Sequence, residues 1–506
     1  MFSTAKFRHL IVALPLLLAP SAFSDGLPDL GDVSHATISP QEERRLGEQI
    51  MFEVRADRSY LDDAEVADYL NQLGNRLLAG TGEAQPDQAF EFFALQDPSV
   101  NAFALPGGFI GINSGLMLVA QSESELASVM AHEIAHVTQK HIARLISGQK
   151  HSALISLAGL AVAILAARAN SEVGRAATAT VQASTIQSQL DFTRDHEKEA
   201  DRIGLNILVR AGFDPRAMPV FFERLQKAGR FQEGSAPSYL RTHPLTFERI
   251  ADIQSRTQRL TYRQVPDSVE FQLLRAKLRA FQDTPRDALA YFESSLNEKR
   301  YNNEAAERYG LITALLRNRS YARAEQELVF LRKASPPGAM IETLAARVKL
   351  VTGQSGAAFD IYRAALSTYP QHRALTYDYA EALLHNRRAE VALKFISEQL
   401  QHAPNDSRLY RLQAQSYTDL GNNLLRHRAQ AEAYARQGNL PAAIEQLQIA
   451  LKSSDGDFYQ ISSAEARLRE LRTIDANQKQ GSAKGKNQLV RPIYGLQSGR
   501  STSSVK

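Results

Sequence analysis

VMAHEIAHVTQKH, residues 129–141, sets two histidines four apart with a glutamate directly after the first. That spacing carries chemistry only on a helix, where residues four apart share a face and two imidazoles can converge on one point. The surroundings supply one: apolar residues recur at helical spacing from Ser122 to Ile146, and Ser122 with Glu125 stands at capping-box spacing. His132 and His136 are then candidate metal ligands, and Glu133 is a candidate general base. The pattern fixes only three positions, so a solvated helix face would fit it too, and the rest of the chain has to decide.

Two ligands do not make a site. A catalytic zinc takes three protein ligands and keeps a position for water, whose pKa falls to roughly 7. The chain has no cysteine, so His, Asp and Glu must supply every ligand. RDHEKEADRIG, residues 194–204, offers carboxylates on a second segment of helical pattern. Glu197 and Asp201 share a face, so one can bind metal while the other hydrogen-bonds a ligand imidazole. Lys198 and Glu199 read as surface charges. His141 falls off the ligand face of an unbroken helix and, with His151 and His196, reads as structural or surface.

Upstream, FEFFALQDPSVNAFALPGGFIGINSGLMLV, residues 90–119, alternates aromatic and β-branched runs with breaks at Asp97-Pro98, Pro106-Gly107-Gly108 and Gly115, which predicts strand, turn, strand. Residues 39–78 carry apolar positions at helical spacing, with Ser39 placed to cap and Pro40 at the first helical position; two helices are expected. Beyond Pro266 a period appears. Ala324, Ala358 and Ala392 recur every 34 residues, as do Leu316, Leu350 and Leu384, and Pro336, Pro370 and Pro404. That is the tetratricopeptide period, in which small residues let paired helices approach and prolines stop the second helix. Ala290 marks a fainter earlier unit. Ala443 follows Ala392 by 51 residues rather than 34, so about half a unit, Ser407 to Asn423, has been inserted or has lost its second helix.

The two ends differ from the middle. Residues 1–24 combine Lys6 and Arg8 with an apolar run from Leu10 to Ala19 and small residues at Ala22 and Ser24, which reads as a secretory signal cleaved near Ser24. The run is well short of the ~20 residues of a spanning helix. From Ala476 the chain is basic, without acidic residues, and reads as a disordered extension. Ala153 to Ala167 is almost wholly apolar and suits either a buried hairpin helix or peripheral membrane contact. A formal charge of +4 on 506 residues gives no sign of nucleic acid as a partner.

HEIAH, the Glu-x-x-x-Asp of EKEAD, and NAFALPGGFIGINSGL before them together resemble peptidase family M48, the zinc endopeptidases. The resemblance implies a mainly α chain: a zincin-like α+β metalloprotease domain with a small sheet over 25–265, then an α-solenoid of tetratricopeptide repeats over 266–475. It implies one zinc per chain on His132, His136 and Glu197, Glu133 as catalytic base, and Asp201 behind a ligand. It places a substrate strand along Asn101, Ala102, Phe103, Gly107 and Gly108. In RTHPLTFERI, residues 241–250, it singles out His243 as an inhibitory fourth ligand. The periplasmic members with repeats further imply degradation of misassembled outer-membrane β-barrel proteins, with the repeats docking to the assembly machinery. A chaperone or adaptor with a silent site is the competing reading, and it would require a lost catalytic residue.

Overall fold

The structure, a computed structural model, describes residues 39–82, 89–148, 194–230, 238–261 and 264–488. The signal segment, Ala153 to Ala167, His151 and the end of the tail lie outside the described residues. Ser39 caps α1 (Pro40–Ala56) through a reciprocal box with Glu42, and Asp63 caps α2 (Ala64–Ala79) by accepting from the amides of Glu65 and Val66. Three strands follow, β1 (Glu91–Leu95), β2 (Ala102–Leu105) and β3 (Phe109–Asn113), in the order β1-β3-β2, with β1 parallel and β2 antiparallel to β3. Gly107 and Gly108 turn the hairpin at φ +77° and +84°, and a Cβ on Gly108 would stand 2.3 Å from the Ala89 carbonyl oxygen. Ile50, Met51 and Val54 of α1 pack with Phe93, Phe103 and Phe109 of the sheet.

Beyond α3 (Ser114–Val119), the motif helix α4 (Glu123–Thr138) has every residue buried from Glu123 to Val137. It runs through the middle of the fold, between α2, β2 and the pair α6 (Arg194–Arg210) and α7 (Ala217–Arg230). The expected single helix from Ser122 to Ile146 is broken: Lys140 takes φ 51°, and α5 (His141–Gly148) sets off in a new direction. α8 (Ser238–Thr242) and α9 (Phe247–Gln258) complete this part.

From α10 (Val269–Gln282) the helices pair off. Ala324, Ala358 and Ala392 are the fourth residues of Tyr321–Ala334, Ser355–Thr368 and Ala389–His402, and all are fully buried. After the first pair, each turns on a residue of positive φ: Arg319, Gly353, Arg387 and Gly421, 34 apart, and then Gly438, only 17 later. Asn423–Arg436 therefore ends one pair and begins the next, and Ala443 takes the fourth position of Leu440–Ala450. The last helix, Phe458–Gln488, continues past residue 475, where the sequence suggested a disordered tail; Ala476, Gln478, Lys479 and Gln480 are helix formers that extend a segment anchored by the buried Leu468 and Leu471.

The two textures share one core. A single cluster of buried apolar side chains runs from Val66 to Val348, with Tyr69 of α2 stacked on Phe271 of α10 at 6.3 Å. Lys277, 4 % exposed, lies 2.5 Å from both Asp63 and Glu65. Glu123, the first residue of α4, accepts from Tyr69 Oη at 2.9 Å and from Ser268 Oγ at 2.7 Å. Farther along, Arg373 pairs with Asp68 at 2.5 Å and Arg411 with Asp62 at 3.5 Å, so the acidic start of α2 meets cations from successive repeats.

Candidate metal centre

Gly204 lets the two ligand-bearing helices meet, since a Cβ there would come within 3.1 Å of the His132 backbone. α6 consequently lies close along α4 and turns Glu197 and Asp201 toward the histidines. His132 Nε2 stands 3.0 Å from His136 Nε2 and 3.5 Å from Glu197 Oε2, and His136 Nε2 lies 3.4 Å from Glu197 Oε1. His243, just past α8, brings Nδ1 to 3.4 Å from His132 Nε2 and 3.0 Å from Glu197 Oε1. One donor atom from each of His132, His136, Glu197 and His243 lies within 4.8 Å of the others, and all four residues are buried. Four ligands about 2.0–2.1 Å from a tetrahedral zinc stand roughly 3.3–3.4 Å apart, so the spacing fits a single ion.

The hydrogen-bond network behind these donors fits the same ion. Asp201 Oδ1 lies 3.1 Å from His132 Nδ1, which holds the proton there and leaves Nε2 as a bare lone pair. His136 is treated alike by a longer relay. Its Nδ1 lies 3.0 Å from Nδ1 of His141, whose Nε2 lies 3.1 Å from Glu199. Burial pulls the His141 pKa down to about 4 against the pull of Glu199, so the ring is neutral with one proton to place. That proton belongs on the nitrogen facing the carboxylate; His141 Nδ1 then accepts from His136, whose Nε2 is again bare. Two lone pairs and a carboxylate facing one another in a buried space need a cation. In the metal-free protein a proton partly fills that role: burial opposes charge on His132, but Asp201 and Glu197 hold its pKa up at about 9. Burial would raise Glu197, yet the imidazoles of His243, His132 and His136 keep it well below its ordinary value.

Glu133 is fully buried, and neither carboxylate oxygen has a close hydrogen bond among the described residues; the Ala104 amide faces it weakly and His243 Nε2 stands 3.5 Å from Oε1. Burial raises its pKa, with the nearby imidazoles opposing, which is the direction a general base needs.

Residues 64–257 match peptidase family M48, and residues 352–416 match a tetratricopeptide repeat. A beta-barrel assembly-enhancing protease of Escherichia coli (strain K12) is 32% identical over 473 residues, 92% of this chain and 96% of its own length. The chain belongs to that protease family, within M48. A putative beta-barrel assembly-enhancing protease of Vibrio cholerae is 34% identical over 448 residues, 88% of this chain and 92% of its own. Mitochondrial metalloendopeptidase OMA1 of Schizosaccharomyces pombe is 32% identical over 186 residues, 37% of this chain and 51% of its own. As an M48 member the chain is a zinc metalloendopeptidase, and its donor cluster suits one metal ion.

Four groups at this centre escaped the sequence reading. His141, set aside as off the ligand face, reaches His136 because the helix breaks at Lys140, a positive-φ lysine with no glycine or proline to announce it. Glu199 is the carboxylate at the far end of that relay and also pairs with Arg144 at 3.0 Å, whereas Lys198 meets Glu248 at the surface as expected. Arg249, 2 % exposed, grips Asp201 through Nε at 2.7 Å and Nη2 at 2.8 Å and reaches Glu197 at 2.7 Å. Tyr239 stacks on His243 with ring centroids 4.7 Å apart. The strand reading also narrows. Asn101, Phe103 and Leu105 face their partners on β3, and the Val100 carbonyl accepts from the Tyr239 amide, which leaves the backbone of Ala102 and Ala104 on the outer edge of β2. Gly107 and Gly108 lie in the turn.

Proposed function

We propose that this cluster is the catalytic centre of a periplasmic endopeptidase that cuts misassembled outer-membrane β-barrel proteins and docks to their assembly machinery through its repeats. One observation carries the reading: four donors within 4.8 Å of one another share a buried space with a glutamate whose acceptors are unspent. His132, His136 and Glu197 would hold the ion, and His243 would take the fourth position in the resting enzyme. Zinc bound there supplies a Lewis acid and lowers the pKa of water. Glu133 takes the water's proton and returns it to the departing amine. The outer edge of β2 at Ala102 and Ala104 receives the substrate backbone as an added strand. Asp201 and Arg249 orient His132 and Glu197. His243, between Glu133 and Glu197, keeps water and substrate out until it withdraws. The relatives' names support a role in β-barrel assembly, and residues 1–24 read as a signal that would deliver the chain to the periplasm. A silent adaptor has no support, because no catalytic residue is missing.

Casein degradation and bound zinc, measured on the parent, Glu133→Gln and His243→Ala, test the reading. The parent should be slow, His243→Ala faster and quicker to lose zinc, and Glu133→Gln inactive with its zinc retained. An active Glu133→Gln would remove the base, and an inactive His243→Ala at unchanged zinc would remove the inhibitory role.

A further inference from the structure

We propose that a cleft in the repeats, between Ser407–Asp419, Asn423–Arg436 and the last helix, binds an extended acidic peptide, with Arg428 taking a carboxylate. The cleft lies at the half-step of the array, where Gly438 turns the chain 17 residues after Gly421. Asn423–Arg436 thereby becomes the middle of three consecutive helices. One stripe of it, Arg428, Glu432 and Arg436, faces a stripe of Ser407–Asp419, Tyr410 and Tyr417, across a cavity of about 270 Å³ that Arg467 closes from the last helix. Residues at such spacings share a helix face, so the walls are two parallel rows of side chains, a shape that suits an extended segment.

The charges in the cleft do not balance. Arg467 grips Glu432 through Nε at 2.7 Å and Nη2 at 2.8 Å and reaches Glu470 at 2.7 Å. Arg436 stands 3.6 Å from the same Glu432 and donates to the Pro404 carbonyl at 3.1 Å. Arg428 is half-buried and has no hydrogen bond or ion pair among the described residues. Three guanidiniums against Glu432 and Glu470 leave one positive charge in excess, and the excess sits on the residue without a partner. A guanidinium fork matches a carboxylate bidentately. Tyr410 and Tyr417 add flat surface for an apolar side chain beside it. The chain's own tail has the wrong sign to fill the cleft, since from Ala476 onward it has basic residues and no acidic one.

The proposal deepens the docking role given to the repeats and does not depend on the metal, so it can fail while the protease reading stands. The test is fluorescence anisotropy with the full-length chain carrying Glu133→Gln, so that the probe is not cut. The probes are a fluorescein-labelled peptide alternating Glu with Phe and Tyr, and its counterpart with Gln for every Glu. The acidic probe should bind, the Gln probe about tenfold or more weakly, and Arg428→Ala should weaken the acidic probe by a similar factor. Arg428→Ala on the parent background should leave Tm and bound zinc unchanged. If Arg428→Ala lowers Tm, Arg428→Lys, which keeps charge without the fork, should bind with intermediate strength. Equal binding of both probes, no binding of either at millimolar concentration, or an Arg428→Ala affinity equal to the parent's would overturn the proposal. So would a cleft that ignores the acidic probe but binds anionic lipid vesicles through Arg428.

Discussion

Buried charge at the junction of α2 and α10 is held mostly by the protein's own partners, with Glu65 Oε1 left over, whereas at the metal centre it is not. Lys277 sits between Asp63 and Glu65, Tyr309 Oη reaches Glu65 at 3.4 Å, and Asp63 also closes the cap of α2. At the centre, bare imidazole nitrogens crowd one another and both oxygens of Glu133 are unspent. Both clusters cost desolvation energy, but only the first returns it through its own partners. A network whose cation is supplied by Lys277 fixes two helices together, while one that lacks a cation asks for an ion and a water. The junction is thus a structural fixture and the centre a reactive one.

The contrast breaks most visibly if the chain is cut between them. Deleting residues 266–506 should give no soluble folded product, because Tyr69, Glu123 and Glu65 at the start of α2 lose Phe271, Ser268 and Lys277 respectively. A soluble fragment with cooperative unfolding and bound zinc would show that the shared core is dispensable. Replacing Lys277 with Met leaves two carboxylates without a cation, and denaturant unfolding should show a loss of about 3–5 kcal/mol. A loss under 1 kcal/mol would mean that the junction is solvated and the comparison misdrawn.

His141 sharpens the other side. His141→Phe keeps the ring volume but cannot accept from His136, so zinc affinity in a chelator competition should fall about 10–100-fold. His196→Phe, which alters the ring stacked on His141 at 4.5 Å, should not change it, and equal losses from both would reduce the relay to packing. The smallest effect is a pH dependence. Burial would raise the Asp63 pKa, but Lys277 and the amide of Val66 hold it below 3.8. A depressed carboxyl contributes stability that is full above its unfolded value and lost as pH falls through its folded one. The gap in urea midpoint between the parent and Asp63→Asn, which keeps the cap, should therefore be constant above about pH 4 and close in stronger acid. A gap that persists in strong acid would have some other origin than charge.

Local spacing told the sequence most of this. His132 and His136 on one helix, the carboxylates of α6, the capping Ser39 and Ser122, the hairpin glycines and the 34-residue period all depend on neighbours within one element, and each is found where the residues put it. Hidden from it were the features that need two distant elements at once. Arg249 is an ordinary basic residue until α9 lays it across Asp201 and Glu197, and Glu199 looks like a surface charge until the turn at Lys140 brings His141 to it. The union of the two parts in one core was equally invisible, because Lys277 reads as one lysine among many on a repeat helix until Asp63 and Glu65 meet it.

Whether His132, His136, Glu197 and His243 close together on one zinc can be read from X-ray absorption fine structure at the zinc edge of the purified full-length protein. One four-coordinate zinc per chain is predicted, with three imidazoles and one carboxylate oxygen at about 2.0–2.1 Å, and one imidazole fewer in His243→Ala. Substoichiometric zinc at saturating metal, or a parent spectrum with two imidazoles that His243→Ala leaves unchanged, would contradict it.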